Sequence, residues 1–427
     1  MSADPQRGED RRRADRISGS WPSYTLGLFA LSMAGQLSFL IALRARELGA
    51  DFQTIGLLAG VTASVPALFA IPGGAIVDRW GARRVFVLAA LVAAVTCGGM
   101  AFVDRVAGLF LLAPVAGTAV ATAWTAVQSQ VTGLAGGLAR AVHTGRLSLF
   151  TNLGDMAGPL LAGTGAQFLG PGRAFLVPAT YALLFTAVGW AGLPQRTATG
   201  TRTIRGVGVG EAYGLLRRAP MQVALLLTSA RLWIQVVYLT FLPVYLVDQG
   251  IGAGRAGTVM ATSGLVAAVT APLAAGAARR WSQRRVTTVA LAGGAAVVAV
   301  TPALANIPGA YVIALFVGLG SGLSLPLLLS LTTSAAPEGH RGIALGLRAT
   351  VNQVAAAAAP MAVGPVLTGA GAIAGFASGG GAAVVLLGLA TVRHRHTGLD
   401  GTIEGGRRRG RQARRPPSAC EAADGGP

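Results

Sequence analysis

Asp155 is the one carboxylate that the sequence places deep within a long apolar stretch. A carboxylate in such a place costs roughly 2.5–3.5 kcal/mol on membrane-insertion scales, so a function or a partner is expected for it. Two roles are open from the residue alone. The side chain could bind and release a proton, or it could form a permanent ion pair or a structural hydrogen bond.

Two arginines, Arg231 and Arg348, also fall within apolar stretches and are the available ion-pair partners of Asp155. Intramembrane arginines are costly and usually face water or an anion. If all three charges faced one cavity, its net charge would be positive, which suits a carboxylate, a phosphate or a phenolate. Arg348 lies about two turns from the end of its stretch, so it could instead extend to the membrane surface.

Other polar residues recur at helical spacing within the apolar stretches, so that several of them share one helix face. The candidate residues are Gln36, Thr118, Thr122, Thr125, Asn152, Arg231, Gln235, Tyr238, Ser321, Ser324, Arg348 and Asn352. That they line one substrate cavity is what the family resemblance given below implies. The alternative is that individual serines and threonines only form hydrogen bonds between helices, as they do routinely in membranes.

These residues must be positioned by membrane-spanning helices. The chain has 427 residues, 52% of them hydrophobic and only 12% charged, whereas soluble domains carry about 25% charged residues. A spanning helix needs roughly 20 apolar residues. Twelve such stretches lie at about 24–43, 54–77, 85–103, 106–128, 147–168, 174–193, 222–247, 256–278, 286–304, 309–331, 343–368 and 372–392.

The net charge of +19 comes entirely from arginine and is distributed asymmetrically. With the N-terminus in the cytoplasm, the inner loops and tails hold 28 of the 35 arginines and the outer loops hold five. This distribution follows the positive-inside rule. It predicts cytoplasmic termini, and the abundance of Arg, Ala and Gly indicates a bacterium with GC-rich DNA and therefore the inner membrane.

Several other classes of protein are disfavoured. No basic stretch is interleaved with aromatic residues, so we expect no nucleic-acid partner. The four histidines lie in loops or the tail without metal-ligand spacing, so we expect no metal, no cofactor and no enzymatic activity. Cys97 and Cys420 form no disulfide framework. No phosphate-binding loop is present, so an ion gradient must supply the work of any transport.

The chain repeats itself at an offset of 201 residues. The turn VDRWGARRV near residue 78 returns as ARRWSQRRV near residue 279, so that Trp80 pairs with Trp281 and Arg83 with Arg284. The same offset relates Gly49 to Gly250, Gly56 to Gly257 and Pro159 to Pro360, among others. The offset divides the twelve stretches into two halves of six. Because six is an even number of spans, both halves begin on the same side of the membrane and form a parallel repeat.

The stretch GGAIVDRWGARR at 73–84 resembles the loop motif between the second and third spans of the major facilitator superfamily. The resemblance covers about residues 21–393. It implies an all-α polytopic membrane protein, with twelve transmembrane helices in two parallel, pseudo-symmetric six-helix bundles. The expected organisation is an N-terminal tail at 1–20 and a bundle at 21–193, followed by a linker at 194–221. A second bundle at 222–393 and a tail at 394–427 complete it, and both tails are expected to be disordered.

By the same resemblance, the turn acts as a latch between the halves, formed by Asp78, Arg79, Gly81, Arg83 and Arg84. Asp78 would accept hydrogen bonds from helix N-termini and arginines of the other half and favour the outward-open state. The second copy carries Arg279 in place of the acid, so the latch is expected to be asymmetric. The alternative is that both turns only anchor the topology by positive charge.

The fifth stretch reads NLGDMAGPLLAG at 152–163 and resembles the antiporter motif GxxxGPxxGG of the drug:proton antiporter branch. Gly154, Gly158, Pro159 and Gly163 match it, and Ala162 departs from it. Glycines four residues apart allow another helix to pack closely, and the proline allows a bend. The fourth stretch, however, lacks the arginine expected in that branch.

The sequence therefore predicts a secondary active transporter that works by alternating access. Its expected activity is proton-coupled efflux of a small organic compound, with Asp155 as the coupling residue. Ion-coupled uptake of an anionic small molecule is the first alternative, and a transporter-like membrane sensor or scaffold is the second. The expected partners are a small-molecule substrate, a proton or another coupling ion and the lipid bilayer, and the expected state is a monomer.

Overall fold

The computed structural model describes residues 21–132, 137–193, 209–337 and 340–395. The expected tails at 1–20 and from 396 onwards lie outside the described residues, as does the first part of the expected linker, 194–208. The side chain of Asp78 is also outside them.

The described residues are almost entirely helical. The helices are α1 Trp21–Glu47, α2 Phe52–Trp80, α3 Ala82–Met100, α4 Val106–Thr132, α5 Gly137–Arg173, α6 Leu176–Gly192, α7 Val209–Leu216, α8 Ala219–Asp248, α9 Ala253–Thr270, η1 Ala271–Leu273, α10 Ala274–Arg280, α11 Gln283–Ala299, η2 Thr301–Leu304, α12 Ile307–Ala335 and α13 Arg341–Arg395. All twelve predicted apolar stretches fall on these helices.

Eight of the described helices are long and apolar enough to cross a membrane by themselves. The bent pair 146–173 and 176–192, which meets at 110°, raises that number to nine if it counts as one span. This number is smaller than the twelve predicted stretches for two further reasons. The last two stretches lie together in α13, which breaks at Gly371, and the ninth lies in α11, which has only 17 residues.

The backbone repeats with the same 201-residue offset as the sequence. Within the described ranges, the residues with positive φ form three pairs at this offset: Gly49 (86°) with Gly250 (82°), Gly81 (82°) with Ser282 (65°), and Gly170 (78°) with Gly371 (82°). The first pair follows α1 and α8, the second lies in the repeated turn, and the third breaks α5 and α13. The predicted two-fold repeat is therefore confirmed in the fold.

Gly81 and Ser282 show how strictly the repeated turn specifies its backbone. Positive φ is easy for glycine and uncommon for other residues. Ser282 nevertheless adopts it, and its Oγ accepts a hydrogen bond from the backbone N–H of Arg285 as an N-terminal cap of α11.

The two halves contact each other closely at one end of the bundle, which we call the closed end. There α5 meets α9 and α2 meets α13 through glycines, since a Cβ on Gly163 would lie 2.7 Å from the Cα of Gly257. Arg46 forms an ion pair with Asp248 at 2.9 Å, and the backbone N–H of Gln53 donates to Thr368 Oγ1 at 2.8 Å. The central cavities lie between the halves, beyond these contacts.

Candidate functional site

Two adjacent cavities lie between the halves. The first, the polar lobe, has a volume of about 370 Å³ and is bounded by α1, α5, α8, α9 and α12. The second, the apolar lobe, has a volume of about 320 Å³ and is bounded by α1, α2, α4, α8 and α13. Leu31, Ala34 and Ser38 of α1 line both lobes. Because these three residues are spaced by three and four, one face of α1 serves both cavities.

The polar lobe contains Asp155 of α5 and Arg231 of α8. The Asp155 side chain is exposed to this cavity, in the middle of the bundle. In the described part of the chain, neither residue forms an ion pair with an N–O separation of 4.0 Å or less. The two opposite charges therefore face one cavity of about 370 Å³ without neutralising each other directly.

Helical spacing explains why the polar residues of each helix arrive in the same lobe. Asn152, Asp155 and Pro159 follow a spacing of three and four on α5, and Arg231, Gln235 and Tyr238 do so on α8. Such residues share one helix face. Ser321 of α12 lines the same lobe. The structure thus brings together six of the residues that the sequence selected for a substrate cavity and for coupling: Asn152, Asp155, Arg231, Gln235, Tyr238 and Ser321.

The glycines of α5 fix the position of this helix beside the face that carries Asp155. A Cβ on Gly154 would lie 2.5 Å from the carbonyl oxygen of Leu28, and a Cβ on Gly158 would lie 2.5 Å from that of Ser32. These two glycines therefore pack α5 directly against the backbone of α1, within one half, while Gly163 meets the other half at the closed end. The backbone break that α5 shows is at Gly170 and not at Pro159.

Two polar atoms of the lobe are buried and lack a hydrogen-bond partner. They are the hydroxyl of Tyr238, a residue that is 2% exposed, and Nε of Arg231. Buried polar groups in proteins nearly always have a partner. Both residues line the lobe, and a small rotation of either side chain would bring its unpaired atom to a ligand or a water in the cavity.

The apolar lobe is lined mainly by small residues and one aromatic side chain. Gly117, Val120, Ala121 and Trp124 of α4 face it, together with alanines of α1 and α2. Its polar residues include Thr62, whose hydroxyl donates to the carbonyl of Leu58 at 2.7 Å and is therefore satisfied. The lobe can accommodate an apolar group of modest size.

The predicted role of the fourth stretch needs correction. Thr118 and Thr122 line a different groove of about 370 Å³ between α2, α3 and α4, and Thr125 lines neither lobe. The hydroxyls of all three donate to backbone carbonyls one turn earlier in α4. The face of α4 that carries small residues such as Gly117 and Ala121 is turned towards the cavity instead. Gly117 allows α4 to pack closely against α2, since a Cβ on Gly117 would lie 3.2 Å from Thr62.

Four other predicted cavity residues do not line either lobe. Gln36 is fully buried and donates to Ser32 Oγ at 3.3 Å, and Ser324 is fully buried and donates to the carbonyl of Ser321. Arg348 and Asn352 are half-buried on α13. Among the described residues, the lining of the two lobes includes one acid, Asp155, and one base, Arg231. Arg348 acts electrostatically on Arg231 from outside that lining, so the expected net positive charge of the cavity stays a prediction.

The sequence reasoning missed several lining residues, of which Ser38, Trp124 and Ser263 bear most on recognition. Trp124 lies seven residues after Gly117, on the same helix face. That spacing was present in the sequence, but the selection followed polar residues only, and so it passed over the apolar face.

The residues of the proposed latch lie at the turn between α2 and α3. The guanidinium of Arg83 stacks over the ring of Trp190 at 4.7 Å, within the same half, which is a favourable cation–π geometry. Arg79 and Arg84 are exposed, and Gly81 adopts the positive φ that the turn requires. Because the Asp78 side chain is not described, its contacts stay a prediction.

The fold and the central cavity define the class of protein. The described helices form two halves related by a repeat, with the cavities between them. The Major Facilitator Superfamily signature matches residues 23–360. The chain therefore belongs to the Major Facilitator Superfamily, and its family and fold are those of transporters.

Solved structures of similar fold include three transporters. The nucleoside transporter NupG matches with a TM-score of 0.72 and 13% identity, covering 88% of this chain and 99% of the other. The peptide transporter POT in complex with sulfate gives 0.70 and 18%, covering 89% and 95%. A bacterial homologue of the human lysosomal transporter Spinster, inward-facing and unoccupied, gives 0.68 and 14%, covering 88% and 95%. No curated protein matches this chain in sequence.

Proposed function

We propose that this protein is a proton-coupled exporter of a small organic compound and that it works by alternating access around the two lobes. The observation that carries the proposal is the placement of Asp155. Its carboxyl group faces a cavity between the two halves and has no direct ion-pair partner among the described residues. A carboxyl group in that position can exchange a proton or a cation with the cavity, whereas a permanent ion pair cannot.

The export that we propose starts from a state that is closed at its outer end. The arginine distribution supports cytoplasmic termini in a bacterial inner membrane, with halves at 21–193 and 222–393 joined by a cytoplasmic linker at 194–221. The closed end then faces outward, because it contains the loops after α1 and α8. The cavity then lies on the cytoplasmic side of the closed end, a state that importers and exporters share. The resemblance of the stretch around Pro159 to the antiporter motif is what favours export.

Coupling requires that the proton and the substrate use the same site at different times. A ligand cation near Asp155 favours the ionised carboxylate, and its departure allows the carboxylate to be protonated. If only the two occupied forms reorient, protons enter as substrate leaves. The energy for export then comes from the proton gradient, which is worth about 1.4 kcal/mol for each tenfold difference in concentration.

Uptake of an anion is the alternative that the two arginines favour. It depends on a net positive charge at the cavity, to which Arg348 contributes through its electrostatic effect on Arg231, although it lines neither lobe. A sensor or scaffold would not need an unpaired acid in a central cavity. We therefore treat both alternatives as outcomes of the following experiment.

Proton coupling can be tested in everted membrane vesicles. An inside-acid pH gradient is imposed, and its dissipation is followed as cationic, zwitterionic, neutral and anionic compounds are added. We expect at least one compound to dissipate the gradient with the wild type and not with Asp155→Asn. Asp104→Asn is the matched control, because Asp104 is 94% exposed in a loop at the closed end. Transport without proton movement, or equal dissipation by Asp155→Asn, would contradict the proposal.

A further inference from the structure

The polar lobe presents one negative and one positive group to the same space. Asp155 lies on α5 of the first half and Arg231 on α8 of the second, and both line the cavity. They are held apart, with no ion pair of 4.0 Å or less between them in the described structure. A ligand with a single charge would leave the opposite group without a partner in a largely apolar bundle, and unpaired charged groups are costly there.

Unpaired donors lie on the same wall as Arg231. Among the residues that the structure describes, the Tyr238 hydroxyl, on a side chain that is 98% buried, and the Arg231 Nε atom have no hydrogen-bond partner. Gln235 lies between them on the same face of α8. Guanidinium, amide and phenol groups together form a donor-rich wall, which is suited to a carboxylate.

The two lobes are arranged so that one small molecule can occupy both. They share Leu31, Ala34 and Ser38, and α8 contributes to both, with Gln235 in the polar lobe and Val236 in the apolar lobe. Trp124 closes the α4 wall of the apolar lobe. Cavities of about 320 and 370 Å³ lie at the small end of the usual range of ligand sites, about 300–1,000 Å³.

From this arrangement we infer that the transported compound is a small amphipathic zwitterion. Its ammonium group binds Asp155, its carboxylate binds Arg231 and the donors of α8, and its aromatic or branched apolar group enters the apolar lobe beside Trp124. This inference rests on the proposed transport function, since it names the substrate class of the same cavity. It also explains why an acid and a base face the cavity without pairing, because the substrate completes both interactions.

The inference is tested by binding to the purified full-length protein in lipid nanodiscs, measured by calorimetry. The probes are L-phenylalanine, its methyl ester, N-acetyl-L-phenylalanine and N-acetyl-L-phenylalanine methyl ester, which have similar size and differ in charge. The measurement is made at about pH 7, below the ordinary pKa of the α-amino group, because at lower pH a proton on Asp155 would compete with the ammonium group of the ligand. We expect L-phenylalanine to bind at least about tenfold more tightly than each blocked form, as hydrogen bonds to charged groups imply.

Substitutions assign each charge to its partner. With Asp155→Asn, L-phenylalanine should lose its advantage over the N-acetyl derivative and keep its advantage over the methyl ester. With Arg231→Gln the reverse should hold. Asp104→Asn and Arg255→Gln are matched controls at exposed positions outside the cavity. These selectivity changes depend on comparison within one folded variant, so a general loss of stability would not produce them.

The apolar lobe is tested with the same assay. Ala121→Leu should fill part of this lobe and weaken L-phenylalanine at least about tenfold relative to L-alanine, because overpacking a filled site costs about 1–3 kcal/mol. Ala290→Leu, on α11 and outside both lobes, serves as the control.

The possible outcomes separate the substrate class from the transport function. Equal binding of all four probes, preference for a singly charged form or no binding would overturn the zwitterion inference. If the vesicle assay nevertheless finds another compound that moves with protons, the proposed export function stands without it. If the zwitterion binds selectively and no compound moves protons in vesicles, the site assignment holds and the proposed export function fails.

Discussion

Gly163 of α5 and Gly257 of α9 meet face to face across the two halves of the protein. A Cβ on Gly163 would lie 2.7 Å from the Cα of Gly257, and a Cβ on Gly257 would lie 2.6 Å from the carbonyl oxygen of Pro159. The equivalent contact 201 residues away joins Gly364 to Gly56, since a Cβ on Gly364 would lie 3.4 Å from the Cα of Gly56. The closed end is thus sealed by two pseudo-symmetric glycine contacts.

Gly163→Val should prevent this end from closing fully. The new side chain would meet backbone atoms, which cannot move aside as a flexible side chain can, and overpacking of this kind costs about 1–3 kcal/mol. The population of the outward-open state should therefore rise about 5-fold to 150-fold. Spin-label distances between Phe102→Cys and Ile307→Cys, both exposed near the closed end, measure the separation. Gly388→Val is the control, because nothing lies within 4 Å of a Cβ there.

The ion pair between Arg46 and Asp248 should contribute more weakly to the same equilibrium. It joins the ends of α1 and α8 at 2.9 Å, and the side chains are 40% and 27% exposed. Partly exposed pairs are worth about 0–1 kcal/mol. Asp248→Asn should therefore increase the outward-open population by no more than about fivefold, and high salt should reduce the difference. The charge-reversed pair Arg46→Asp with Asp248→Arg should restore most of the wild-type distance distribution.

The threonines of α4 provide a test of which face of that helix matters. Thr118 and Thr122 line the groove outside the central cavity, and their hydroxyls bond to carbonyls of α4 itself. Thr118→Val and Thr122→Val should therefore leave substrate affinity within about twofold of the wild type, because no hydroxyl faces the substrate. Trp124→Ala on the cavity face should weaken binding clearly. If the threonine variants lose affinity and Trp124→Ala does not, our orientation of α4 is wrong.

The comparison of α4 with α8 shows what can be predicted from this sequence. The apolar stretches, the repeat and the shared face of Arg231, Gln235 and Tyr238 follow from helical spacing and from the cost of charge in a membrane. The rotation of α4 does not follow in this way. A threonine hydroxyl can be satisfied by its own helix, so its polarity does not report a cavity, and the orientation depends on how closely Gly117 packs on α2.

Arg348 shows a second limit of the sequence. It was expected in the cavity because an intramembrane arginine is costly, but it is half-buried on α13 and lines neither lobe. The energetic cost of placing an arginine in a membrane shows only that the residue is unusual. It does not say whether the side chain faces the cavity, a neighbouring helix or the membrane surface, since a long side chain can reach each of them.

Asp78→Asn should slow turnover and leave substrate binding unchanged. A latch that favours the outward-open state acts on the rate of conformational change and not on the cavity, so transport velocity should fall at constant affinity. Asp104→Asn is the matched control, because Asp104 is 94% exposed in a loop at the closed end. Unchanged transport rates for Asp78→Asn would support the simpler view that the arginines of the turn only anchor topology.

Asp51 should make the stability of α2 dependent on pH. It caps the helix N-terminus and accepts a hydrogen bond from the backbone N–H of Thr54 at 2.8 Å. Hydrogen bonds from the Thr54 hydroxyl and from this N–H hold the pKa of Asp51 below its ordinary value of 3.8. Because the folded pKa is depressed, the stabilisation is present above the unfolded pKa and is lost as pH falls through the folded pKa. Asp51→Ala should lower the free energy of unfolding by about 0.5–2 kcal/mol at neutral pH, measured by denaturant titration. Below the folded pKa of Asp51 this difference should shrink, and an equal loss at all pH values would contradict the assignment.

Accessibility of the central cavity from the two sides of the membrane tests alternating access most directly. Ser38 lines both lobes and is exposed to them, so Ser38→Cys in a Cys97→Ala, Cys420→Ser background reports cavity access to a membrane-impermeant maleimide. We predict labelling from the cytoplasmic side in the wild type, and labelling from the outer side when Gly163→Val opens the closed end. Labelling from the same side only, under both conditions and with an imposed proton gradient, would contradict the account.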